Sequence, residues 1–115
     1  MKILTMIFLH IADDYYLQDI LAQMKQKKFW KEQAPDKKYK YDYIWALIMH
    51  AFSWTFMIML PLALTAPIGI KFYILFILNL IIHAFVDDLK ANKLKINLWQ
   101  DQLIHLLQII ITALI

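Results

Sequence analysis

The sequence predicts an all-α protein, an integral membrane bundle of four transmembrane helices, on three observations. Hydrophobic residues fill 62% and aromatic residues 15% of the 115 positions, well above the share usual in a soluble domain of this size. Three stretches are apolar over the length that spanning a hydrocarbon core requires, about 20 residues of helix. The lysines gather in two segments that four passes would leave on one side of the bilayer.

Helix one is expected over about residues 2–24. Ile3 to Ala12 is apolar, and Leu17, Ile20, Leu21 and Met24 then repeat at i, i+3, i+4 and i+7, so the helix should continue past Asp13, Asp14, Gln18 and Asp19 with a polar face turned inward. Lys2 before an apolar run has the look of a signal peptide. No small-residue cleavage site follows, so the segment is expected to be retained. Residues 25–40 form a Lys-rich loop with seven Lys, two acids and Pro35, and an amphipathic turn is expected around Phe29 and Trp30.

Helix two is expected over about 42–64, most of it in a stretch from Ile44 to Ala66 that holds no Asp, Glu, Lys or Arg. Pro67 and Gly69 supply a tight turn into helix three, about 68–90, where Lys71 lies close enough to one end to reach the interface. Helix four follows over about 95–115, with Asp101 as its single carboxylate.

Ten of the twelve lysines fall in the loops after helices one and three. The excess of positive charge on cytoplasmic loops then puts both Lys-rich loops in the cytoplasm and both termini outside it. Arginine is absent, which argues against nucleic acid as a partner, since bidentate phosphate contacts favour guanidinium. The lipid bilayer is the expected partner, and four helices make a bundle thin enough to admit a homodimer. With no cysteine, neither disulfides nor thiolate metal sites are available.

The chemistry lies in four histidines that fall one per helix, His10, His50, His83 and His105. Three have an acid one turn away: His10 with Asp14, His83 with Asp87, and His105 with Asp101. Residues at i and i+4 share a helix face about 6 Å apart along the axis, so each pair presents an imidazole and a carboxylate to one point. Gln18 extends the face of helix one by a turn, and Gln102 adjoins Asp101. Helix direction places all of these residues in the cytoplasmic half, where they can converge. Adjacent helical residues point about 100° apart, so only one of Asp13 and Asp14, and one of Asp87 and Asp88, should face the cluster; the spacing selects Asp14 and Asp87.

Ionisable groups within a membrane cost several kcal/mol unless they pair or bind an ion, which makes the cluster a functional site by expectation. Imidazole and carboxylate together suit Zn, Mn or Fe. One or two such divalent ions would be held by a subset of His10, Asp14, His83, Asp87, Asp101 and His105. His50, without a turn-spaced acid, would serve as a further ligand or as a general base, and Lys90 would orient a phosphate.

The ordered motifs His10-x3-Asp14-Tyr15-x-Leu17-Gln18, His50 in an apolar helix, His83-x3-Asp87-x2-Lys90 and Asp101-Gln102-x2-His105 cover nearly the whole chain. In these the sequence resembles a small bacterial and prophage membrane-protein family, the domain of unknown function number 3307. The resemblance implies a shared multi-helix fold, a shared polar cluster and a multi-pass place in a bacterial inner or plasma membrane, without naming a reaction. The functional expectation is a membrane-embedded, metal-dependent hydrolase acting on a lipid headgroup or phosphoester. Two other expectations stand beside it, an ion or proton-coupled transporter and a phage membrane effector.

Overall fold

The computed structural model describes residues 1–115, and every regular element is helical. Helix α1, Lys2–Ala12, runs straight into a π-helical turn over Asp13–Leu17. The chain then breaks at Asp19, whose φ of 45° lies in the left-handed region that Asp tolerates better than most residues. The continuous helix expected over 2–24 is therefore interrupted, and Leu21–Met24 forms a separate short helix, α2.

The expected loop over 25–40 contains helix α3, Lys27–Gln33, and a 3₁₀ turn over Lys37–Tyr39 capped by the Asp36 carboxylate. The Trp30 indole donates to the Met24 carbonyl at 2.7 Å, which fastens α3 back onto the end of α2.

Helix α4 spans Asp42–Thr65. It ends where Ala66 takes an extended conformation (φ −138°, ψ 154°), as a residue before proline must when the proline ring excludes the helical region. Helix α5 follows over Ile70–Ala91, beginning two residues later than expected because Gly69 caps it in an extended conformation. Helix α6, Leu98–Leu114, starts three residues later than expected. Its first turn is set by a capping box: the Gln100 amide N–H donates to the Asn97 side chain at 2.9 Å, and the Asn97 N–H donates to the Gln100 side chain at 3.0 Å.

Helix α4 is the centre of the molecule, packed against α1, α2 and α5, while α6 bridges α5 and α1. Met6, Trp54, Ile58, Met59 and Ile109 form an apolar core between these helices. Polar residues nevertheless make up twelve of the 22 buried positions, while Leu4, Phe8, Phe52, Ile77, Ile81, Leu107 and Ile111 face outward. A soluble bundle has the opposite arrangement. Two helices, α4 and α5, are long and apolar enough to cross a membrane.

Candidate metal centre

The first contribution comes from α1 and its π-helical turn. His10 is 2% exposed and has both ring nitrogens engaged. The Trp54 indole N–H donates to His10 Nδ1 at 2.7 Å. Because an indole nitrogen can only donate, Nδ1 must accept, leaving Nε2–H to donate to Gln102 Oε1 at 3.0 Å. His10 thus organises the site and has no nitrogen left for an ion in this arrangement.

Asp13 and Asp14 both reach the cluster, which corrects the expectation that only one would. The reason is the group between them. His50 from α4 presents two nitrogens on opposite sides of one ring, with Asp13 Oδ2 3.6 Å from Nδ1 and Asp14 Oδ1 3.2 Å from Nε2. Two carboxylates splayed about 100° apart on a helix suit such a wedge better than a single point. Ser53, one turn along α4 from His50, donates to the other oxygen of Asp13 at 2.5 Å.

Helix α5 supplies His83 and Asp87, 0% and 2% exposed. The His83 ring is stacked between the Trp54 indole (centroids 4.1 Å apart, 19° between planes) and the His105 imidazole (4.2 Å, 30°). Stacking fixes the ring through its faces, so both nitrogens remain without a hydrogen-bond partner. Asp87 lies at the middle of the cluster. Its Oδ2 is 3.4 Å from His50 Nε2 and 3.7 Å from His83 Nε2, and its Oδ1 is 3.3 Å from His105 Nε2. Asp88 points elsewhere, accepting from the Asn92 amide at 2.7 Å.

Helix α6 contributes Asp101, Gln102 and His105. Gln108 Nε2 donates to the Asn79 carbonyl and side-chain oxygens, so its own Oε1 is left to accept from His105 Nδ1 at 3.1 Å. With Nδ1 as the donor, the Nε2 lone pair of a neutral His105 would face Asp101 Oδ1 at 3.2 Å and Asp87 Oδ1 at 3.3 Å. Three acceptors cannot share that space without a cation among them, either a proton or a metal ion.

Two lysines border the cluster. Lys90 donates to Asp101 Oδ2 at 3.0 Å, and Lys25, 5% exposed, donates to Asp87 Oδ2 at 2.7 Å. Gln102 donates to Asp101 Oδ2 at 2.9 Å and to Asp14 Oδ2 at 3.3 Å. Gln18 donates back to the Asp14 carbonyl at 2.9 Å, which steadies the π-helical turn.

Asp14, His50 and His83 form one group that could hold a metal ion, and His83, Asp87 and His105 form a second; within each, the ligand atoms lie within 4.8 Å of one another. Asp13, Lys25, Ser53 and Trp54 complete the site without having been singled out from the sequence. Ser53 and Trp54 carried a signal, since they follow His50 by three and four residues and so share its face. Lys25 carried none, because only the break at Asp19 brings it inward.

No family model matches the chain, and no curated protein or solved structure does either.

Proposed function

We propose that the chain is a membrane-embedded, metal-dependent hydrolase with its His/Asp centre in the cytoplasmic half of the bilayer. One observation carries this reading. Asp14 Oδ1, Asp101 Oδ1 and both nitrogens of His50 and His83 are buried without hydrogen-bond partners, although facing imidazole and carboxylate atoms of the cluster lie 3.2–3.7 Å apart. Metal–ligand bonds of about 2.0–2.1 Å place the corners of a tetrahedron about 3.3–3.4 Å apart. Within Asp14, His50 and His83, and within His83, Asp87 and His105, the ligand atoms are close enough to surround an ion.

Charge favours the same conclusion. Four carboxylates, Asp13, Asp14, Asp87 and Asp101, are each no more than 9% exposed, and two ammonium groups balance half of their charge. One divalent ion would neutralise the remainder, removing the cost of uncompensated buried charge. Such an ion would supply Lewis-acid polarisation and an activated water. Asp13 would hold the ring of His50, and His50 would ligate or accept the proton of the attacking water. Lys90 would steady an anionic group beside Asp101.

The transporter reading finds one observation in its favour, a polar chain of His105, Gln108, Asn79 and Thr112 that leads away from the cluster, its last link 2.8 Å long. Two of its members are amides. An amide passes on a proton only by changing tautomer, so the chain is better suited to fixing His105 than to conducting.

The test is the elemental content of detergent-purified, chelator-free protein beside a His83→Ala, Asp87→Ala double variant, followed by hydrolysis of a soluble phosphoester before and after chelation. About one or two equivalents of Zn, Mn or Fe, absent from the variant, and activity that chelation abolishes are expected. A metal-free wild-type protein would overturn the metal reading in favour of a proton relay.

A further inference from the structure

A small polar cavity of about 40 Å³ opens between Asp14, Asp87, Lys25 and Lys90, on the cluster's cytoplasmic side in the proposed topology. A water-sized group needs about 10–15 Å³ of such space. The cavity therefore has room for a small polar group beside the two lysines.

Beside it, between α1 and α6, lies an apolar groove of about 420 Å³. Ile7 and Ile11 form one wall and Leu98 and Leu106 the other, while His10 and Gln102 form its floor. Tyr15, Leu98 and Gln102 line both spaces, so the groove adjoins the polar cavity across these side chains. The outer rim is apolar, with Ile11 42% and Leu98 55% exposed on the surface that would meet lipid chains.

We infer that the α1–α6 groove admits a lipid phosphate laterally from the bilayer, its hydrocarbon chain lying along Ile11 and Leu98 and its phosphomonoester reaching Lys25 and Lys90. This rests on the metal-centre reading and adds to it a substrate class and a route. Two observations select the occupant. The groove borders the cluster at His10 and Gln102, so a molecule spanning both would join an apolar body to a polar head. The polar cavity also brings the Lys25 and Lys90 ammonium groups together, two cationic donors that suit a phosphomonoester dianion. Gln102 lies at the junction, and its bonds to His10 and Asp14 would be exchanged as the head passes.

The experiment is native mass spectrometry of the detergent-purified, metal-loaded protein with equimolar phosphatidic acid, phosphatidylglycerol and phosphatidylcholine of one acyl composition. Metal content is measured on the same samples. Phosphatidic acid should be retained about tenfold over phosphatidylcholine, in line with two ammonium groups meeting the headgroup. Lys90→Gln should erase most of that selectivity. Ile11→Trp and Leu98→Trp, which fill the groove from opposite walls at exposed positions, should each lower retention of all three lipids several-fold. Glycerol 3-phosphate in excess, the head without the chain, should not displace the lipid.

Equal retention of the three lipids by metal-bearing protein would overturn the inference and leave the metal centre standing. Unchanged retention in both tryptophan variants, or displacement by glycerol 3-phosphate, would do the same. Protein without metal would fail the metal reading instead; selective, groove-dependent retention of phosphatidic acid would still support the route, and its loss would remove both.

Discussion

At the scale of residues, the proposed centre depends on groups that hold imidazoles in place while leaving ring nitrogens free to ligate. Trp54 does this for His83 by stacking, and Asp13 does it for His50 from the far side of the ring. A carboxylate behind a ligating histidine fixes the ring and raises its basicity, and losing one weakens metal binding about 10–100-fold. Asp13→Asn should therefore weaken zinc binding in a competitive chelator titration by that order. Asp88→Asn should leave it unchanged, because Asp88 is paired with Lys93 and Asn92 outside the cluster. Equal effects of the two substitutions would show that Asp13 acts only through general charge. The turn-spaced pairs were legible in the sequence because i and i+4 share a face on any helix. Asp13 was not, since its role depends on a ring from another helix lying between two adjacent carboxylates, which periodicity along one chain cannot reveal.

At the scale of elements, the departures from regular helix sit where the site needs them. The π-helical turn carries Asp13 and Asp14, and the left-handed residue Asp19 ends α1's course and turns the chain back over α4 and α5. Asn92, just past α5, then latches the returning segment: its amide donates to the Lys25 carbonyl at 2.9 Å, and its side-chain oxygen accepts from the Lys27 N–H at 2.7 Å. These bonds deliver the Lys25 ammonium to Asp87. Asn92→Ala should release the segment over residues 25–40, speeding amide hydrogen exchange there about tenfold, as expected when bonds worth about 1 kcal/mol or more are lost. Exchange in α4 should not change. Uniform acceleration across the protein would mean that Asn92 supports the bundle as a whole. The helices themselves were legible from their apolar lengths, and their ends shifted only where caps at Gly69 and Asn97 decided them. The break at Asp19 was hidden because the apolar repeat at Leu17, Ile20, Leu21 and Met24 continues through it.

At the scale of the whole molecule, the question is how many helices cross the bilayer. Helices α4 and α5 have the length and composition alone. Helix α6 has 17 residues, about 25 Å at 1.5 Å per residue, against a hydrocarbon core of about 30 Å. Its outward face is nonetheless apolar at Leu103, Leu107, Ile110, Ile111 and Leu114, and that of α1 at Leu4, Phe8 and Ile11. Both helices place polar residues against α4 and α5, so a two-pass protein would expose these outer faces to water. At the end away from the cluster, the Lys71 ammonium donates to the Ile115 carbonyl, tying α6 to the start of α5. In the proposed four-pass arrangement these faces would meet lipid, and a chain without cysteine allows a direct check. In intact cells, a membrane-impermeant maleimide should label Leu114→Cys and, as a control in the α4–α5 turn, Ala66→Cys. Lys37→Cys should react only after permeabilisation. With two passes, α1, α6 and the Lys-rich segments would all lie on one side, and Leu114→Cys would be protected together with Lys37→Cys while Ala66→Cys still reacted. The labelling of residue 114 thus decides whether the cluster is enclosed by four spanning helices or lies under two helices at the surface, where a chain in the α1–α6 groove would have to approach from the interface.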